Sequence, residues 1–158
     1  MNDADVLARL SELGLELPTP TVPLAAYVPC VVSGSIAWVA GQVPMVDGQV
    51  VHTGRLGDGV SVEEGAAGAR RAALQALAVL RDGLGGSFER LVRIVHVTVF
   101  VAATSGFTEH PKVANGASEL LGAVLGEPGK HARAAIGMAS LPLGASIEIS
   151  VVAEVRPT

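Results

Sequence analysis

Residues 91–101, LVRIVHVTVFV, limit the possible folds more than any other segment. The run is rich in β-branched residues and reads as a strand. Helical patterns flank it on both sides, so strand and helices must share one core. Upstream, Ser61 and Glu64 fit a capping box, in which each side chain satisfies the other's free backbone N–H. The helix they open continues through Leu74, Leu77 and Leu80 to about Arg81, with Gly83 as its terminator. Downstream, Pro111 suits the first turn of a second helix that runs to about Leu125 and stops at Gly126.

The remaining segments alternate between the same two periods. Residues 3–13 carry Val6, Leu7, Leu10 and Leu13 at helical spacing, which predicts a short amphipathic helix ending at Gly14. Pro18, Pro20 and Pro23 then mark an extended linker. Residues 27–33 and 35–43 read as a hairpin around Ser33-Gly34, and Asp47-Gly48 as a second turn before a short strand from Gln49 to His52. Residues 54–59 read as loop, and the last two strands as about 132–139 and 146–155. The order ββ(β)αβαββ predicts an α+β fold: a single sheet with two main helices on one face. Nothing divides the chain, so 1–158 reads as one domain, with 1–20 as N-terminal helix and linker and 21–158 as core.

Composition adds a question about surface. Only 16% of residues are charged and 49% are apolar, against roughly 25% charged in ordinary soluble domains. No apolar run approaches the roughly 18 residues of a membrane helix, so the spare apolar surface is expected to be buried against identical subunits. A net charge of −4 and few aromatics argue against nucleic acid as a partner. The single cysteine, Cys30, cannot form an internal disulfide, and the start MNDADVLARL lacks a basic-then-apolar leader. These features predict a cytoplasmic protein that engages no membrane.

Several chemistries lack sequence support. The four histidines (His52, His96, His110, His131) have no metal-ligand spacing, and there is no GxSxG elbow, phosphate loop or dinucleotide fingerprint. His96, inside an apolar strand, reads as a structural histidine. Arg70 and Arg71 read as a solvated helix face, and Cys30 as a small buried hydrophobe. Two charges stand out near the end of the chain. Arg133 precedes a run of small and apolar residues, and Glu148 sits between Ile147 and Ile149. An edge-strand arginine paired with a nearby acid would explain the first. Alternatively, its planar fork anchors a small organic acid among Ala134, Ala135 and Gly137, and Glu148 handles a proton. The latter arrangement expects the two strands to form a hairpin about the Leu141-Pro142 corner.

The segments VAGQVP (39–44), VTVFV (97–101), VANGASELL (113–121), ARAAIGMASLP (132–142) and IEISVVAEV (147–155) together resemble the RidA/YjgF family, also described as L-PSP endoribonuclease-like. The likeness covers residues 27–155 in order, and the additional N-terminal helix resembles a longer branch. The resemblance implies a chorismate-mutase-like fold, a homotrimer and active sites in clefts between subunits. It implies hydrolysis of reactive 2-imino or enamine acids to 2-oxo acids and ammonia, without a cofactor or metal. By position, Arg133 matches the arginine that clamps the substrate carboxylate, and Glu148 the glutamate that positions or activates water. Tyr27, Gly41 and Asn115 match residues at or near the substrate pocket, and His131, next to Arg133, is a further candidate for the site. Two positions depart from the family pattern. Ala135 stands where deaminases of the family commonly carry cysteine, and Ala40 replaces the serine of SGQ; both changes remove polar contacts and enlarge the pocket.

Three functions follow in descending order of support. An imine deaminase needs Arg133 and Glu148 in one cleft. A non-catalytic small-acid binder or regulator needs Arg133 alone. A ribonuclease or translation inhibitor needs basic surface, which an acidic chain does not offer.

Overall fold

The computed structural model describes residues 1–20 and 26–157, so Pro23 of the expected linker lies outside the described residues. Within them the chain forms three α-helices: α1 (Asp3–Glu12), α2 (Val62–Gly83) and α3 (His110–Leu125). Nine strands accompany them. They are β1 (Cys30–Ser33), β2 (Ile36–Gln42), β3 (Met45–Val46), β4 (Gln49–Val50), β5 (Arg55–Leu56), β6 (Gly59–Val60), β7 (Leu91–Ala102), β8 (Ala132–Met138) and β9 (Ile147–Val155).

Local signals set the helix starts. Asn2 caps α1 by accepting from the Ala4 N–H, and Asp3 and Asp5 place negative charge at the positive end of the helix. The reciprocal Ser61–Glu64 capping box is formed at α2. α2 runs two residues beyond Arg81. Gly83 is its last helical residue, and the left-handed turn falls on Gly85 and Gly86. Residues 54–59 are more ordered than loop, with β5 and β6 pairing in parallel. Asp47 and Gly48 both take positive φ, the geometry of a tight hairpin turn joining β3 to β4.

Five strands form the main sheet in the order β1-β2-β9-β7-β8. β7 lies between β9, antiparallel to it, and β8, parallel to it. The expected β8–β9 hairpin is therefore absent. The chain leaves β8, passes Leu141-Pro142 and crosses the end of β7 before entering β9. The long β-branched strand takes partners on both edges, and the two strands adjacent in sequence are kept apart.

One face of the sheet carries the core. Val97, Val99 and Val101 of β7 and Ile147, Ile149, Val151 and Ala153 of β9 are buried beneath α2 and α3. The two helices cross closely at Gly116, where any Cβ would collide with the Ala66 backbone. A methyl group there would force them apart. α1 packs Val6 and Leu10 into the same core. The opposite face holds Val31 and Trp38 on the first two strands, and Ile136 and Met138 on β8. No helix among the described residues covers it. Trp38 is 48% exposed there.

Candidate functional site

Arg133 and Glu148 mark two separate places. β8 pairs Arg133 with Val97, and β9 pairs Glu148 with Phe100, so the two residues stand two strands and three register steps apart. With strands about 4.8 Å apart and a rise of about 3.3 Å per residue, that is roughly 14 Å of sheet. They also lie on opposite faces. Arg133 shares a register side with the buried Val97 and reaches α3, whereas Glu148 alternates with the buried Ile147 and Ile149.

Arg133 is held by one stripe of α3. Pro111, Asn115 and Ser118 recur at i, i+4 and i+7, which places them on one side of the helix. Nη1 donates to Asn115 Oδ1 (3.0 Å) and to Ser118 Oγ (3.0 Å), and Nη2 donates to the Pro111 carbonyl (3.2 Å). No carboxylate pairs with it among the described residues. A guanidinium has five N–H donors. The three engaged here leave the Nε–H and one Nη2–H free, enough to meet a ligand's two carboxylate oxygens. A cavity of about 320 Å³ opens beside it, lined by Ser118, Gly122, Gly129, Lys130, His131 and Arg133.

The other expected residues distribute as follows. Ala135 lies on the same side of β8 as Arg133 and packs against the core. His131 precedes β8, lines the same cavity and touches Ser118, with Ser118 Oγ 3.0 Å from its Nε2. Burial pushes its pKa below the usual histidine value, and the Arg133 charge adds to this. Gly41 joins Glu148 instead. Any Cβ at Gly41 would collide with the Glu148 carboxyl group, so only glycine lets the side chain lie across β2. Glu148 is half-buried, and desolvation raises its pKa above the ordinary carboxylate value. Tyr27 is exposed on the approach to β1, at the sheet edge opposite β8.

Ser118 escaped the sequence reading, although its i+3 spacing from Asn115 was a usable signal. His110 escaped too. Its Nε2 would come within 2.6 Å of a Cβ at Gly137, four residues beyond Arg133 on the same side of β8. Phe107 packs edge-on against the His110 ring. Arg71 is not simply solvated, since its Nε donates to the Met45 carbonyl at 2.5 Å. Cys30 is half-buried against α2, where its Sγ lies over Gly83, and desolvation raises its pKa. His96 sits on the uncovered face, opposite Val152. Among the described residues no group of three His, Cys, Asp or Glu side chains is placed to hold a metal ion. No described helix is long and apolar enough to cross a membrane.

This order of strands and helices, with an arginine at one sheet edge, has relatives. The sequence model of the family described as YjgF/chorismate mutase-like, putative endoribonuclease, matches residues 7–155. The chain belongs to that family. It is similar to Protein TCP17 of Trypanosoma cruzi, at 43% identity over 96% of this chain and 94% of that protein. Among solved structures it is similar to Atu1372 of Agrobacterium tumefaciens, a protein of unknown function, at 42% identity and TM-score 0.91, covering 97% of this chain and 94% of that one. A putative endoribonuclease from Shewanella oneidensis matches at 33% identity and TM-score 0.91, over 95% and 99% of the two chains. The α+β, chorismate-mutase-like fold expected from the sequence is the fold observed.

Proposed function

We propose that this YjgF-family protein hydrolyses 2-imino acids to 2-oxo acids and ammonia, at sites built where copies of the chain meet in a trimer. The observation that carries the reading is the state of Arg133. Its guanidinium is fixed by neutral oxygens, keeps its full charge, and retains two N–H donors beside a cavity large enough for a small acid. A four-carbon acid, with bonds of roughly 1.5 Å, spans only about 5 Å. It cannot bridge Arg133 and Glu148 of one protomer. Tyr27 and Arg133 occupy opposite sheet edges, and the uncovered apolar face needs a partner. Assembly of several copies would bring these groups onto one ligand.

In such a site Arg133 takes the carboxylate and holds the imine carbon in register with water. Glu148 accepts a proton from the water as it adds to the protonated imine, giving a carbinolamine; it returns that proton to nitrogen and takes the hydroxyl proton as the C–N bond breaks, so that ammonia leaves and the 2-oxo acid forms. Its raised pKa brings it closer to neutrality, so turnover falls as pH drops through that value. Ala40 and Ala135 stand where the family pattern carries larger polar side chains, and in the assembled site this favours longer or branched side chains on the substrate.

The test generates 2-iminopropanoate and 2-iminobutanoate in situ with an amino-acid oxidase or dehydratase and traps the residue with semicarbazide. The protein should lower the trapped amount. Glu148→Gln should cut turnover by about 10²–10⁴-fold and leave 2-oxo acid binding nearly intact. No acceleration by the wild type on any imine overturns the reading. A second reading, a small-acid binder or regulator, is favoured by the roughly 14 Å between Arg133 and Glu148 in one protomer. It predicts acid binding without turnover. Sedimentation giving a stable monomer would remove the composite site.

A further inference from the structure

Behind Arg133 lies a hydrogen-bonded chain whose direction is fixed by its ends. Arginine only donates, so at the Arg133–Ser118 contact (3.0 Å) the hydroxyl oxygen accepts. The Gly129 carbonyl only accepts, so His131 Nδ1, 2.6 Å away, carries a hydrogen. In the neutral ring Nε2 is then bare, and it takes the one hydrogen of Ser118 at 3.0 Å. Every donor and acceptor in the chain Arg133, Ser118, His131, Gly129 is thereby matched.

The sequence builds this from GKHAR. Gly129 closes a single 3-10 turn, Glu127–Gly129, and the extended backbone that follows brings the side chains of His131 and Arg133, two residues apart, to Ser118 of α3. Gly129 can lie there because it has no side chain; any Cβ would collide with the Leu121 carbonyl of α3. Ser118 meets them from the helix.

We propose that Ser118 and His131 are positioning residues that hold the Arg133 guanidinium against α3, with its two free N–H groups presented to a ligand carboxylate, and that protonation of His131 loosens this hold. The proposal rests on the carboxylate-clamp part of the function given above. A protonated His131 would set a second cation across a single oxygen from the guanidinium. Ser118 would then receive donors from both sides, with no role left for its own hydrogen. Other titratable groups lie close to the ring as well. His96 of β7 lowers its pKa, as Arg133 does, and the groove on its other side carries Arg93, Lys130 and the Glu154 carboxylate. Because the ring's pKa is depressed from 6.5, the chain is intact at neutral pH and is lost on the acid side of that value.

Two measurements test this, and the first needs no substrate. ¹⁵N NMR of the imidazole in the native protein at neutral pH should show the Nδ1–H tautomer for His131. An Nε2–H tautomer overturns the relay whether or not any acid binds. The second titrates 2-oxobutanoate, by calorimetry, into wild type, Ser118→Ala and His131→Gln between about pH 8 and pH 5. Wild-type affinity should hold steady at the alkaline end and fall several-fold below pH 6.5. Ser118→Ala should bind about three- to tenfold more weakly at neutral pH, having lost one restraint on a charged donor. His131→Gln places an amide oxygen near the Nε2 position and cannot titrate. It should bind within about twofold of wild type at neutral pH and lose the wild type's acid-side decline, although Glu148 still titrates in it. Variants that bind and titrate like wild type overturn the positioning role while the clamp stands. A wild type that binds no 2-oxo acid overturns the clamp, and the relay's purpose with it.

Discussion

Arg81 and Arg133 are both partly exposed arginines bridging neighbouring elements, yet their chemistry is opposite. Arg81, at the end of α2, meets Asp3 of α1 through two parallel bonds, Nε to Oδ1 at 3.0 Å and Nη2 to Oδ2 at 2.8 Å. Asp3 also accepts from the Phe88 N–H at 2.8 Å, so one carboxylate pins the N-terminal helix to α2 and to the turn that follows it. Arg133 is held just as firmly, but by an amide oxygen, a hydroxyl and a carbonyl. One guanidinium is neutralised and the other is only oriented. An arginine whose charge is already met serves the fold. An arginine fixed by neutral acceptors keeps its charge for something that arrives later.

Exchanging the two losses should break the comparison if it is false. Arg133→Ala should weaken 2-oxo acid binding tenfold or more, since hydrogen bonds to a charged donor contribute roughly 1.5–3 kcal/mol. Its melting temperature should barely move, because the acceptors it leaves behind lie at the surface and can turn to water. Titration calorimetry and thermal unfolding on the same sample decide this. Unchanged affinity would mean that Arg133 is structural after all. Arg133→Lys sharpens the point. It restores the charge but not the planar fork, and should recover only part of the affinity.

Arg81→Ala should do the reverse. The pair is partly solvent-exposed, which discounts its electrostatic contribution, and the cost should be about 1 kcal/mol. For a chain of this size that lowers the melting temperature by roughly 2–4 °C. Acid binding should remain at the wild-type level. A variant that lost both would show that α1 docking and the Arg133 edge are coupled, which the separate contacts do not suggest.

The sequence revealed these two regions unequally. Helix boundaries depend on signals within a few residues, so Ser61 with Glu64, Pro111 and Gly126 placed α2 and α3 nearly to the residue. Strand partnership depends on residues far apart. β8 and β9 are consecutive and antiparallel in direction, and consecutive strands usually neighbour each other. Nothing local in ARAAIGM or IEISVVAEV says that β7 comes between them. Misplacing that one strand also put Arg133 and Glu148 side by side in one protomer, where β7 in fact separates them. The residue types survived the error. Arg133 and Asn115 do meet, and so do Gly41 and Glu148. What could not be read was the tertiary pairing that sorts them into two groups. The Asp3–Arg81 pair was equally hidden, with both residues appearing as ordinary helix-end charges.

The smallest effect expected concerns pH, and it separates the two arginines by a different route. The hydrogen bond from Arg81 is the main reason the Asp3 carboxyl lies below its ordinary value of 3.8, although partial burial opposes it. A carboxyl depressed in the folded state contributes stability in full above its unfolded pKa, and that contribution disappears as pH falls through the folded value. Asp3→Asn should therefore be less stable than wild type by at most about 1 kcal/mol near pH 7, and the gap should close as pH drops below 3.8. Added salt should narrow the gap at neutral pH by screening the exposed side of the pair. Arg133→Ala has no carboxylate partner to protonate, so it should show no such gap closing below pH 3.8; the pH dependence it does change is that of His131, whose pKa the Arg133 charge lowers. Denaturant unfolding at several pH values measures both curves. An Asp3→Asn gap that persists unchanged into acid would mean that Asp3 acts through shape and backbone capping alone. The contrast between a spent and an unspent arginine would then rest on the binding data.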